Sequence, residues 1–252
     1  MKKSILSFVA IMIFFSCSKS DDDSGTPDNS NVEIKSSIVN LPNFNYKQFY
    51  QENASSTNRK GLIILAHGDG ANENDGALND QCTALAQQGY VAITTSYRSL
   101  DGLVWNDQGI SFKADIESVI LDAGTRFAIP RNKTILGGLS RGGSITLALI
   151  LPNGQFGTTT PFDGIKGVVL QCSGGDEWKG SAVLFPVAWM SDKIDDTMGV
   201  VDGNYFKNGL QNNLNPNVST QSECLIYNNT GHCSNMSDNK AFIVRKVKEW
   251  LP

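Results

Sequence analysis

The chain is 252 residues long with 40% hydrophobic content, enough to bury one good-sized core, and its formal charge is −4. That size suits a single α/β domain behind an N-terminal leader. The acidic balance argues against a nucleic-acid surface, and no Lys/Arg cluster, internal repeat or Gly-rich phosphate loop is present.

Met1-Lys2-Lys3 is a basic start, and Ile5 to Phe15 is an apolar run too short to span a bilayer. A small residue and a cysteine close it, as Phe14-Phe15-Ser16-Cys17. This resembles the lipobox of bacterial lipoproteins, which implies removal of residues 1–16 as a signal peptide and acylation of Cys17. Ser18-Lys19-Ser20-Asp21-Asp22-Asp23 is similar to the acidic tag of surface-exposed lipoproteins in some Gram-negative bacteria. The resemblance implies a cell-envelope protein, held to the outer membrane by its lipid. A plain secretory signal is the alternative. Residues 17–31 are Ser, Asp, Asn, Gly and Pro-rich and read as a flexible tether, leaving 32–252 as the folded domain.

Val32 to Val39 and Phe44 to Gln51 alternate in part and predict an antiparallel pair at a sheet edge, separated by Pro42 and Asn43. Leu62-Ile63-Ile64-Leu65-Ala66 is an unbroken aliphatic run, as a strand covered on both faces requires. A helix is expected from Gly76 to Gln88, then a second buried strand in Tyr90 to Arg98. A loop carrying Trp105 leads to a helix over Phe112 to Phe127. Thr134 to Leu139 is the next strand and Ile145 to Ile150 lie on the helix after it. Ile165 to Cys172 and Val183 to Met190 predict two more strands, and Ser191 to Ser222 reads as mostly loop with a helix near Asn204 to Gln211. Cys224 to Tyr227 makes a last strand and Lys240 to Trp250 a closing amphipathic helix. Strands alternating with helices imply a mostly parallel sheet with helices on both faces, whose ligands bind at the carboxyl ends of the strands.

Gly138-Leu139-Ser140-Arg141-Gly142 sits between a strand and a helix and matches the nucleophile elbow, Gly-x-Ser-x-Gly. A serine hydroxyl needs a base to remove its proton and a third group to hold the base. Only two histidines exist, His67 and His232. In chains with this elbow the serine precedes the acid and the acid precedes the histidine, which leaves His232. Asp192, Asp195 and Asp196 follow the strand between them, and all three are candidates for the acid. For the oxyanion, the backbone N–H of Arg141 is one donor, and that of Asp69 or Gly70, in the loop after His67-Gly68, is the second. The Arg141 side chain reads as a salt-bridge or packing residue, with steering of an anionic substrate as the alternative.

His67-Gly68-Asp69-Gly70, the stretch from Gly89 to Arg98, the elbow, Asp195 and His232 together resemble the α/β-hydrolase family. The closest group is the one that includes dienelactone hydrolases, secreted polyester hydrolases and related carboxylesterases. The similarity spans about Val32 to Pro252. It implies an α/β-hydrolase fold, a Ser140–His232–Asp195 triad with Asp195 some residues into its loop, and hydrolysis of carboxylic esters. Arg141 departs from the commoner small or apolar residue of the elbow. The short gap from Cys172 to Val183 leaves no room for a large lid, so small or polymer-borne esters suit the site. Trp178 and Trp105 are candidates for pocket walls, with half-buried packing residues as the alternative. No cofactor is implied, and no metal, since the histidines and cysteines lack ligand spacing.

Cys82, Cys172, Cys224 and Cys233 remain in the mature chain, and four cysteines in an exported protein allow three full pairings. Cys224 with Cys233 is the expected pair because they flank the segment carrying His232, with buried free thiols the alternative. A peptidase or amidase on the same fold is a second functional reading, because fold and triad do not separate ester from amide. A non-catalytic binding lipoprotein is a third. Neither the substrate nor the oligomeric state is legible.

Overall fold

The computed structural model describes residues 32–52, 58–103, 105–152 and 161–252, without the side chains of residues 105, 106 and 236. The expected signal peptide, the tether and the lipidation site Cys17 lie outside the described residues.

Among the described residues eight strands form one sheet: β1 (Ile34–Asn40), β2 (Asn45–Gln51), β3 (Leu62–Ala66), β4 (Val91–Thr95), β5 (Thr134–Leu139), β6 (Gly167–Gln171), β7 (Val187–Ile194) and β8 (Glu223–Thr230). Their spatial order is β1-β2-β4-β3-β5-β6-β7-β8. β1 and β2 are antiparallel at one edge, and the six strands from β4 to β8 run parallel. Around them lie α1 (Gly76–Gln87), α2 (Trp105–Phe127), α3 (Arg141–Leu149), α4 (Glu177–Ala182), α5 (Gly203–Gln211), α6 (Pro216–Gln221) and α7 (Met236–Trp250). This is the α/β-hydrolase arrangement, a mostly parallel sheet covered on both faces.

The two faces follow from the period of two along each strand. Leu62, Ile64, Val91, Ile93 and Leu136 join one apolar cluster, which α2, α3 and α5 cover with Phe112, Val119, Ile145 and Phe206. Ile63, Leu65, Ala92 and Ile135 join the other, covered by Leu78 and Leu85 of α1 and Ile243 and Val247 of α7. Strands sandwiched in this way have no polar face, hence their continuous aliphatic sequence.

Several boundaries differ from the sequence reading. α2 begins at Trp105, about two turns before Phe112, and so brings Gln108 toward the elbow. Residues 106–111 hold a single apolar side chain, Ile110, among polar residues and Gly109, and so carry no apolar period, which hid those turns. β7 does not begin at Val183 but runs from Val187 to Ile194, because β8 pairs along it as far as Ile194 with Thr230, across an irregularity between Asp192 and Ile194. Asp192 therefore lies inside the strand rather than beyond it. α4 and α6 were not anticipated. Both are six-residue helices started by side-chain caps, Asp176 on the amide of Lys179 and Asn215 on that of Asn217.

Candidate active site

Ser140 stands at the turn between β5 and α3 with φ +50° and ψ −118°, a backbone conformation that L residues rarely adopt. The surrounding hydrogen bonds hold it there. The Ser140 amide donates to the carbonyl of Gln171 at 2.8 Å, and the Ser144 amide donates to the Ser140 carbonyl at 2.8 Å. The flanking glycines are required by contact: a Cβ at Gly138 would lie 2.5 Å from the Gly142 carbonyl carbon, and one at Gly142 would strike the His67 carbonyl oxygen. So the strand and the helix meet closely, and the serine side chain is turned outward.

His232 follows β8 in the turn before α7. Its Nε2 lies 2.8 Å from the Ser140 Oγ, and its Nδ1 lies 3.0 and 2.8 Å from the two carboxylate oxygens of Asp195. Asp195 is fully buried, directly after β7. Its backbone is fixed by reciprocal hydrogen bonds with Val200 at 2.9 and 2.8 Å, and its Oδ1 accepts from the amides of Thr197 and Met198 at 3.2 and 3.0 Å. A carboxylate held by amides cannot rotate away, so it fixes both the tautomer and the plane of the imidazole.

The other two aspartates have different places. Asp192 is buried, and its Oδ2 accepts from the amide and the hydroxyl of Ser234 at 3.2 and 3.1 Å, so it ties down the turn that carries His232 without touching the ring. Asp196 is exposed.

The loop after β3 runs against the elbow: a Cβ at Gly68 would sit 3.1 Å from that of Ser140. Gly68 and Ala71 close a turn, with the Ala71 amide donating to the Gly68 carbonyl at 3.4 Å and Gly70 in the left-handed region at φ +71°. Arg141, as the first residue of α3, presents an amide with no partner within the helix, at the positive end of its dipole. His67 is buried and takes no part in the Asp195–His232–Ser140 row. Its Nδ1–H donates to the Gly68 carbonyl at 2.6 Å, its ring stacks on Tyr97 at 4.4 Å, and burial lowers its pKa.

Asp69, Ser140, Arg141 and His232 line an open cleft of about 690 Å³. Gln108, Asp75, Ser144, Thr197 and Met198 complete much of its wall, and sequence reasoning named none of these. Only topology brings them there. The Arg141 side chain is a salt-bridge residue, with Nη1 at 2.6 Å from Asp69 Oδ1 and Nη2 at 3.2 Å from Gln108 Oε1. Trp178 is not a pocket wall: it is 60% exposed on α4 and does not line the cleft. The side chain of Trp105 lies outside the described residues.

The expected Cys224–Cys233 pair is corrected by the structure, which bonds Cys172 to Cys233. Cys224 lies near the start of β8 and Cys233 beyond its end, and an extended strand advances roughly 3.3 Å per residue, too far for one disulfide to bridge. Cys82 and Cys224 are free thiols, and burial pushes both up to about 12. Among the described residues, no cluster of three or more His, Cys, Asp or Glu side chains could hold a metal ion.

No protein-family model matches the sequence, and no curated protein matches it. Solved structures do. A cold-adapted esterase from an Arctic intertidal metagenomic library superposes with a TM-score of 0.60 at 15% identity, covering 88% of this chain and 95% of that one. Esterase B from Lactobacillus rhamnosis gives 0.58 at 15% identity over 88% and 87%. A protein described as a CIB-like hydrolase from Thermoplasma acidophilum gives 0.59 at 13% identity over 86% and 99%. The chain has the α/β-hydrolase fold. Identities this low carry the fold alone.

Proposed function

We propose that the protein is a serine hydrolase that cleaves carboxylic esters through an acyl-enzyme. The observation that carries this reading is the unbroken row of hydrogen bonds from Asp195 through His232 to Ser140. The Ser140 Oγ attacks the ester carbonyl carbon while its proton passes to His232 Nε2. Charge builds on the carbonyl oxygen, where the N–H groups of Arg141 and of Asp69 or Gly70 receive it. The bond to the alcohol then breaks, and Nε2 returns the proton to the departing oxygen. Water repeats the sequence on the acyl-enzyme, giving the carboxylic acid and free Ser140. Asp195 stabilises the imidazolium at each transfer and keeps the imidazole in register.

The cleft is open and holds only two large apolar side chains, Leu139 and Met198, so it offers no deep apolar slot for a long acyl chain, which favours short acyl groups. Carboxylesterase action on small or polymer-borne esters fits such a cleft. We further propose that the protein is a lipoprotein of the bacterial cell envelope, anchored in the outer membrane through Cys17. The Phe14-Phe15-Ser16-Cys17 sequence and the acidic stretch behind it support this.

Turnover of 4-nitrophenyl butyrate by the purified protein, absent in Ser140→Ala, tests the chemistry, with a fluorophosphonate probe labelling the wild type alone. A matched 4-nitroanilide separates ester from amide hydrolysis. No turnover and no labelling would leave a binding protein on an inactive scaffold. Palmitate incorporation and membrane fractionation, both abolished by Cys17→Ala, test the anchor.

A further inference from the structure

We propose that Asp69 sets the charge selectivity of the cleft by masking Arg141, so that uncharged esters are taken and carboxylate-bearing ones turned away. The proposal rests on the ester-hydrolase reading and goes beyond it, to the substrate class. The residue after the nucleophile is an arginine, and a free guanidinium beside Ser140 would recruit anions. Here it is not free. Asp69 Oδ1 holds Nη1 at 2.6 Å, Gln108 Oε1 holds Nη2 at 3.2 Å, and Asp101 Oδ1 stands 3.9 Å from Nη1. The Arg141 side chain is only 24% exposed, so little of it is open to a ligand.

The remaining charge in the wall has the same sign as the mask. Asp75 lines the cleft too, its Oδ1 engaged with the Leu78 amide at the start of α1. Asp69 and Asp101 therefore face the guanidinium and Asp75 stands in the same cleft wall, so carboxylates outnumber the one arginine and the net local charge is negative. A substrate with its own carboxylate meets repulsion, and it must also displace Asp69 to reach Arg141. A neutral ester pays neither cost. Since Asp69 is 69% exposed, the effect belongs to a screened, partly solvated pair and is moderate in size.

The test compares 4-nitrophenyl butyrate with 4-nitrophenyl hemisuccinate, which has a comparable acyl length but ends in a carboxylate. Wild-type kcat/KM is expected to favour the butyrate. Raising salt from about 20 mM to about 0.5 M should increase kcat/KM for the hemisuccinate and leave the butyrate nearly unchanged, because screening removes a repulsion. Asp69→Asn keeps the shape and a polar contact to Arg141 while removing the charge. It should raise the hemisuccinate-to-butyrate ratio roughly fivefold, mainly through KM, and Arg141→Gln in that background should cancel the gain. An unchanged ratio in an Asp69→Asn protein that still turns over butyrate would overturn the proposal. So would a wild-type hemisuccinate rate that falls with salt, a measurement that needs no variant to fold. Absence of butyrate turnover by the wild type is a different failure, that of the ester-hydrolase reading itself.

Discussion

Cys233, the residue directly after His232, is bonded to Cys172, the residue directly after β6. The carbonyl of Gln171, just before Cys172, accepts the Ser140 amide at 2.8 Å, so Ser140 and the turn carrying His232 are fastened to the same strand end. The covalent link closes a loop across a sequence separation of 61. Removing it with Cys172→Ser and Cys233→Ser should cost about 2–4 kcal/mol of stability. Because the lost constraint lies beside the base, kcat should fall about tenfold with KM little changed, since misplacement of a reacting group by about an ångström is costly. Thermal melts and steady-state kinetics of the double variant, alongside wild type treated with dithiothreitol, measure both effects. Full kcat in the reduced protein would show that the turn holds His232 without the bond.

The three aspartates near the end of β7 should separate cleanly on substitution. Asp195→Asn keeps the shape but presents the wrong hydrogen-bond character to Nδ1, and kcat should drop by about 10³–10⁴-fold. Asp196→Asn, on the surface, should leave kcat within about twofold. Asp192→Asn weakens the acceptor for Ser234, so it should cost about 1–3 kcal/mol of stability and lower kcat only about tenfold. Burst kinetics with 4-nitrophenyl acetate would order them. Equal losses at Asp192 and Asp195 would remove the distinction between holding the ring and holding its loop.

The elements that could be read from sequence are those in which one physical requirement dominates. β3 and β4 are buried on both faces and have to be aliphatic; the elbow has to place glycine where a Cβ would collide with His67 or Gly142. The end of β7 was hidden because Ser191-Asp192-Lys193 has a loop composition, and only its pairing with β8 makes it a strand. The contact of Cys172 with Cys233 has no local signal, because it depends on two strand ends meeting. The same holds for Gln108 and Thr197: neither has a residue pattern that points to the cleft, and each arrives there through the path of α2 or of the loop after β7.

The loop proposed to supply the second oxyanion donor is secured at a distance. Ser96, one residue beyond β4, donates its hydroxyl to Glu73 Oε2 at 2.5 Å and accepts the Glu73 amide at 2.9 Å, pinning residues 67–75 to the sheet. Ser96→Ala leaves a buried carboxylate short of a donor, at a cost of about 1–3 kcal/mol. If Asp69 or Gly70 donates to the oxyanion, the same change should reduce kcat by about tenfold, less than outright loss of a donor, and leave KM nearly constant. Equal kcat in a folded Ser96→Ala protein would place the second donor elsewhere.

His67 gives a pH signature in stability rather than in catalysis. Burial lowers its pKa below the ordinary value of 6.5, outweighing the hydrogen bond to the Gly68 carbonyl and the nearby carboxylates of Asp75, Glu73 and Asp69, which act the other way. The folded state therefore holds the ring neutral where the unfolded chain has begun to protonate it. Between 6.5 and the lower folded-state value, the unfolded chain binds more protons, so stability falls as pH falls through that window and is complete above it. His67→Gln should lower Tm at pH 7.5 by a fixed amount, reflecting the lost stack on Tyr97. The Tm gap to wild type should then narrow as pH is taken from about 7 to about 5, since only the wild type carries this penalty. Melts of the two proteins across that range measure the gap, and carboxylate titrations common to both cancel in it. A gap that stays constant with pH would mean the ring is accommodated equally well in both protonation states.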